Sequence, residues 1–173
     1  MRRFLVVMLA TMTILSLASV ASAAPNKLRT FGTGEVVVTS ASSVTISNGF
    51  GEYGGVYLQG YKAQTGKLLS QVDYSFRNLG NVAGGAPRFS IPIDENGDGG
   101  TEAYAFIDVN GCNGTGFVFV SSTNSACQVF YGATYANWDA FAAANPTYRI
   151  SNDVPFIISD VEGNYSLDRI SLK

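Results

Sequence analysis

Arg88-Phe89-Ser90-Ile91-Pro92-Ile93-Asp94 sets Phe89, Ile91 and Ile93 alternately against Arg88, Ser90, Pro92 and Asp94. Successive side chains of an extended strand point to opposite faces, so the three apolar residues share one face. The pattern recurs upstream. Val72, Tyr74 and Phe76 alternate with Gln71, Asp73, Ser75 and Arg77, and Val44 and Ile46 alternate with Ser43, Thr45 and Ser47. Short runs rich in β-formers follow at 36–38, 56–58, 103–109, 117–120, 128–131, 148–150, 155–158 and 165–172, separated by Gly, Asn, Asp and Ser clusters. About ten short strands at this spacing predict an all-β fold, an antiparallel β-sandwich or barrel.

One segment departs from that period. Asn137-Trp138-Asp139-Ala140-Phe141-Ala142-Ala143-Ala144-Asn145-Pro146 offers an N-cap Asn, an Ala-rich body and a Pro stop. It predicts a short helix over 137–145 with Trp138, Phe141 and Ala142 turned inward. Residues 25–34 read as a loose arm, and 80–87 as a long surface loop.

Composition narrows the chemistry. The 173 residues include no His and two Cys, which excludes a Ser-His-Asp triad, a Cys-His dyad, His-ligated metals and a four-thiolate site. A formal charge of −2 gives no basic footprint for nucleic acid.

The amino terminus reads as a targeting segment. Arg2 and Arg3 precede a nearly all-apolar run from Phe4 to Val20, and Ala21-Ser22-Ala23-Ala24 supplies small residues for cleavage. That is the layout of a secretory signal peptide over residues 1–24, with cleavage after Ala23 fitting as well as after Ala24. Residues 25–173 then form one domain without a membrane span, secreted to the extracellular side. There, 11 basic residues less Arg2 and Arg3 stand against 13 acidic ones, a net of −4. In an oxidising compartment the even pair Cys112 and Cys127 predicts a disulfide, stapling a hairpin or its neighbour. The oligomeric state is not legible.

Two motifs carry candidate chemistry. Asp94-Glu95-Asn96-Gly97-Asp98-Gly99-Gly100-Thr101-Glu102 reads D-x-N-x-D-G-x-x-E. Calcium takes 6–8 oxygen ligands, and Asp94, Asn96 and Asp98, the Gly100 carbonyl and Glu102 offer five. The plain alternative is an acidic turn, because Asn-Gly and Asp-Gly are both strong turn dipeptides. In Glu52-Tyr53-Gly54-Gly55-Val56-Tyr57-Leu58-Gln59-Gly60-Tyr61, a strand would bury Val56 and Leu58. It would present Tyr53, Tyr57, Gln59 and Tyr61 on the other face. Such a row suits stacking against sugar rings, and it suits packing at a sandwich rim equally. Arg77 and Arg88 would add hydrogen bonds or pair with surface acids. Asn113-Gly114-Thr115 and Asn164-Tyr165-Ser166 match the N-glycosylation sequon, or turns. No spacing among the remaining carboxylates singles out the pair that glycoside hydrolysis requires.

Gly163-Asn164-Tyr165-Ser166-Leu167-Asp168-Arg169-Ile170-Ser171-Leu172 resembles the closing strand of jelly-roll, galactose-binding-like carbohydrate-binding modules, with Tyr165, Asp168, Ile170 and Leu172 matching. The acidic loop is similar to the strand-loop-strand calcium loops of integrin propellers. Residues 85–89 and 94–102 also resemble segments of secreted bacterial proteins of unassigned role. These likenesses imply two antiparallel sheets, a structural calcium and a sugar site on a concave face or loop end. The resulting expectation is a secreted, non-catalytic domain that binds a polysaccharide or cell-surface polymer. The alternatives are a small glycan hydrolase or lyase using carboxylates, and a structural or adhesive exoprotein without a small ligand.

Overall fold

The computed structural model describes residues 27–112 and 117–173. The segment read as a signal peptide and the Asn113 sequon lie outside them. In chain order the strands are β1 (Leu28–Gly32), β2 (Glu35–Ser40), β3 (Ser43–Asn48), β4 (Gly54–Leu58), β5 (Tyr74–Asn78), β6 (Arg88–Asp94), β7 (Ala103–Asp108), β8 (Val118–Ser121), β9 (Val129–Tyr131), β10 (Ala133–Tyr135), β11 (Arg149–Ile150), β12 (Phe156–Ser159) and β13 (Gly163–Leu172), with helix α1 (Trp138–Ala144) after β10. Two antiparallel sheets result. The larger runs β1-β4-β12-β6-β7-β9-β10 with β11 also on β6, and the smaller runs β2-β3-β13-β5-β8. The expected all-β sandwich is the fold the chain adopts.

Period-two alternation decides which residues meet between the sheets. Phe89, Ile91 and Ile93 of β6, Ile107 of β7, Val56 and Leu58 of β4 and Ile157 of β12 are buried from one side. Val44, Ile46, Tyr74, Phe76, Tyr165 and Leu167 meet them from the other. Phe76 stacks on Phe89 across the layers with ring centroids 6.3 Å apart, and Phe89 lies 5.5 Å from Tyr74. Tyr74 in turn meets Trp138 of α1 edge-on at 5.0 Å. One aromatic chain thus joins both sheets and the helix.

The helix forms where its sequence signals place it. The Asn137 side chain accepts the Ala140 amide at 2.9 Å, and Trp138, Phe141 and Ala142 are buried. Trp138 Nε1 donates to the Leu69 carbonyl at 2.9 Å, so the lone indole anchors the core with its polar atom satisfied.

Three expectations change. Residues 28–32 are not part of a loose arm: Leu28 to Gly32 pair one-to-one with Leu58 to Gly54 as an edge strand. Asn164 sits on β13, not in a turn, and its side chain accepts Ser47 Oγ at 2.6 Å. The Cys112–Cys127 bond forms, but it does not staple a hairpin. Cys112 ends a 3₁₀ turn after β7, and Cys127 precedes β9 in the same sheet. The enclosed residues make an excursion to the other sheet as β8.

The two arginines singled out in the sequence both pair with acids. Arg77 holds Asp168 through two parallel hydrogen bonds on the smaller sheet's outer face, and Arg88 pairs with Asp160. The Arg77 hydrogen bonds hold the Asp168 carboxyl below the usual carboxylate range.

Closing a loop with a sequence separation of 15 constrains the unfolded chain. Reducing the Cys112–Cys127 bond is therefore expected to lower unfolding free energy by about 3 kcal/mol, read from urea melts with and without reductant.

Candidate functional site

The outer face of an antiparallel sandwich sheet is ordinarily solvated and polar. Here the larger sheet's outer face is aromatic. Directly opposite residues share a face, and the registers trace one transverse line: Arg29 on Tyr57, Tyr57 on Phe156, Phe156 on Ser90, Ser90 on Phe106, Phe106 on Phe130 and Phe130 on Thr134. Tyr57 to Phe130 crosses four strand spacings, about 19 Å. Phe31 and Tyr104 join from the neighbouring rows. Ring centroids lie 4.4 Å apart for Phe31–Tyr57, 5.9 Å for Tyr57–Phe156 and 5.4 Å for Tyr104–Phe156. Phe106 is 38% exposed, and the other rings are half-buried.

Two local features flatten this face. Gly55 lies under Phe31, and a Cβ there would come within 2.5 Å of Phe31 Cζ. Ser90 and Pro92, the outward residues of β6, are small enough for Tyr104 and Phe156 to meet above them. At the far end a groove of about 410 Å³ opens among Tyr104, Phe106, Phe130 and Thr134.

Pro92 also sets the polar rim. It has no amide hydrogen, so it cannot donate to a neighbouring strand. The chain beside β6 breaks just after this level: β11 pairs with Ile93 and Asp94, the Ser151 amide donates to the Pro92 carbonyl at 3.2 Å, β12 pairs with Arg88 to Ser90, and residues 152–154 bow out between them. The bow carries Asp153, which accepts a hydrogen bond from the Tyr104 hydroxyl at 3.4 Å. Asp153 itself is exposed. Burial, followed by the Asp153 charge, pushes the Tyr104 hydroxyl up to about 12. Arg29 is exposed at the β1 end of the row, and the Arg88 guanidinium lies 5.7 Å from the Phe106 ring centre.

The tyrosines singled out in the sequence do not form one row. Tyr57 stands in the aromatic face. Tyr53 is 43% exposed in the turn before β4, and Gln59 is half-buried just beyond the strand. Tyr61 is the correction: β4 ends at Leu58, and a 3₁₀ turn (Tyr61–Ala63) carries Tyr61 inward to 4% exposure. Its hydroxyl donates to the Asn152 carbonyl. The extended geometry needed to keep Tyr61 in phase stops three residues short of it. The sequence reading also missed Phe31, Tyr104, Phe106, Phe130 and Phe156. Their common face depends on registers between distant strands; within each strand the available signal was an aromatic at the outward parity.

The acidic stretch is the β6–β7 connection. Asp94 accepts Gly97 N at 2.6 Å and Gly99 N at 2.9 Å, and Asp98 accepts Gly100 N at 2.7 Å. Glu102 accepts Glu95 N at 2.8 Å and Asn96 Nδ2 at 2.9 Å. Gly99 has φ +88°, and a Cβ there would meet Asn152 Nδ2 at 2.5 Å. The loop thereby gathers ligand oxygens of Asp94, Asp98 and Glu102 within 4.8 Å of one another, a set that could hold a metal ion. Asn96 turns its amide nitrogen toward Glu102, and its oxygen accepts Asp98 N at 2.9 Å. Behind the loop, Glu95 accepts the hydroxyls of Tyr131 and Tyr148, tying it to β9 and the chain before β11.

No family model, curated protein or solved structure matches this chain. No described helix is long and apolar enough to cross a membrane, and the disulfide suits an oxidising compartment.

Tyr104 ionises above its ordinary value of 10.0 in the folded state. A raised acid pKa supports the fold below the unfolded value and loses that support as pH climbs through the folded one. Urea midpoints are expected to fall between pH 10 and about 12, less steeply in Tyr104→Phe, with ultraviolet titration of Asp153→Asn showing an earlier tyrosinate.

Proposed function

We propose that this chain is a secreted, non-catalytic binding domain that docks on a polysaccharide or comparable cell-surface polymer through its outer aromatic face. The observation that carries this reading is the transverse row Tyr57, Phe156, Phe106 and Phe130, flanked by Phe31 and Tyr104, on a face that sandwich folds ordinarily leave polar. Sugar rings offer C–H faces that stack on aromatic rings, while their hydroxyls need hydrogen-bond partners at the edges. Asp153, Arg29 and Thr134 supply those partners around the rings. Rings held by mutual contact lose little freedom on binding, which favours affinity for a repeating ligand. Export through the segment 1–24 and the Cys112–Cys127 bond agree with a role outside the cell.

In this reading the acidic loop holds calcium in a structural role. Three carboxylates form a hard oxygen set of the kind calcium favours, and the Gly100 carbonyl and Asn96 amide oxygen are the further donors nearest in sequence. The ion would stiffen the β6–β7 connection, whose strands carry Ser90, Tyr104 and Phe106.

Retention on a panel of insoluble polysaccharides, with a reducing-sugar assay on the supernatant, tests the binding role. Retention without sugar release is expected. Tyr57→Ala or Phe156→Ala is expected to weaken it about tenfold, or about 1.4 kcal/mol. Equal retention by both variants would exclude the aromatic face, and sugar release would indicate an enzyme. For the ion, an EDTA-stripped sample is expected to gain melting temperature on adding calcium, and Asp98→Asn to lose that gain. An unchanged melting temperature would remove calcium from the account.

A further inference from the structure

We infer that the Asn-Gly bonds of this chain are deamidation sites held closed by carboxylates, and that Asn110, latched by Asp108 alone, is the first of the described ones to open. The reaction needs only water. The backbone nitrogen of the following residue attacks the Asn side-chain carbonyl carbon and loses its proton, and the side-chain nitrogen leaves as ammonia. Water then opens the cyclic imide at either carbonyl, giving Asp or isoaspartate. Glycine in the following position favours the attack, because no Cβ limits the backbone rotation that brings nitrogen to carbon. The described residues hold three such pairs, Asn48-Gly49, Asn96-Gly97 and Asn110-Gly111, while Asn113-Gly114 lies outside them.

In all three pairs the attacking nitrogen is already engaged. Gly49 N donates to Glu52 Oε2 at 2.7 Å, Gly97 N to Asp94 Oδ1 at 2.6 Å and Gly111 N to Asp108 Oδ1 at 2.5 Å. Attack must first break that bond, and bonds to an ionised acceptor are the strong ones. What differs is the other reactant. The Asn48 carboxamide is buried, and its nitrogen donates to the Ser159 and Val161 carbonyls. Asn96 is exposed, but its nitrogen donates to Glu102 Oε1 and its oxygen accepts Asp98 N, each at 2.9 Å. Asn110 is exposed, and among the described residues its carboxamide has no hydrogen-bond partner. One reactant there is free to turn, and Asp108 holds the other.

Conversion at 110 changes the surface beside the aromatic row. Asn110 begins the 3₁₀ turn that ends at Cys112, and the Gln128 amide donates to the Gly111 carbonyl at 2.9 Å. A Cβ at Gly111 would lie 3.5 Å from Phe130 Cε2, so this turn backs the Phe130 ring. The product places a second carboxylate two residues from Asp108, and its isoaspartate form adds a methylene to the backbone of the turn. The inference needs no ligand on the aromatic row, so it stands apart from the binding proposal.

Peptide mapping of the folded chain aged in mildly alkaline buffer, with fragmentation that separates residue 110 from 113, ranks the sites directly. Converted Asn110 is expected to accumulate ahead of Asn48 and Asn96, and more slowly than in the same chain unfolded in urea. Asp108→Ala should speed conversion at 110 about tenfold and leave 48 and 96 unchanged, since it removes one charge-assisted hydrogen bond at a single site. Unchanged rates at those two positions also report that the variant is folded. Asp108→Asn keeps an acceptor oxygen without the charge, so its rate at 110 should fall between; it carries the comparison if the alanine variant unfolds and speeds all three. Asn48 or Asn96 leading in the wild type, Asn110 converting as fast folded as in urea, or a folded Asp108 variant no faster at 110 than the wild type would each overturn the inference.

Discussion

Strand β6 is enclosed on both of its faces, and the molecule is arranged around that enclosure. Phe89, Ile91 and Ile93 fill the space between the sheets, while Ser90 and Pro92 lie buried beneath the outer rings. A strand covered on one side can keep its polar residues in water; one covered on both must settle them inside. Asp94 is settled by the amides of Gly97 and Gly99. Ser90 Oγ has no hydrogen-bond partner among the described residues, a cost borne beneath the rings. Pro92 has no amide to satisfy; its carbonyl accepts the Ser151 amide at 3.2 Å, and the chain opens at the next residue.

That opening links the two candidate features. The bow at 152–154 presents Asp153 to Tyr104 on one side. On the other, the Asn152 amide donates to the Gly99 carbonyl at 2.9 Å, and Ser151 and Thr101 share a hydroxyl contact. The rim of the aromatic face and the acidic loop therefore rest on the same few residues. An ion held in the loop would act on the rim through this contact, with no rearrangement of either sheet.

Most of the layering was legible because it depends on local parity. Val44, Ile46, Tyr74, Phe76, Phe89, Ile91 and Ile93 each point where alternation sends them. The helix was legible to its cap, since Asn137, the alanines and Pro146 all act within a few residues. The switch of inward positions from Tyr165 and Leu167 to Ile170 and Leu172 marks a bulge in β13, where Arg169 takes φ 52°. What stayed hidden depends on pairing at a distance. Phe31, Tyr57, Phe106, Phe130 and Phe156 are scattered over most of the chain, and no short window shows that registers align them. Tyr61 misled for the converse reason: its spacing was right for a strand that had already ended. The acidic loop fell between these cases. Its turn chemistry is local and readable, but the ion it would hold is a property of oxygen positions, not of letters.

The bond between Cys112 and Cys127 has a further consequence wherever a peptidase reaches the chain. Every peptide link from 112 to 127 lies inside a covalent ring, and that ring includes all of β8. A single cut there opens the ring without releasing a piece. β8 would keep its hydrogen bonds to β5, and the two ends would stay joined through sulfur. Severed in this stretch, the molecule would have the mass of the intact chain plus one water, and a gel would reveal the break only after reduction.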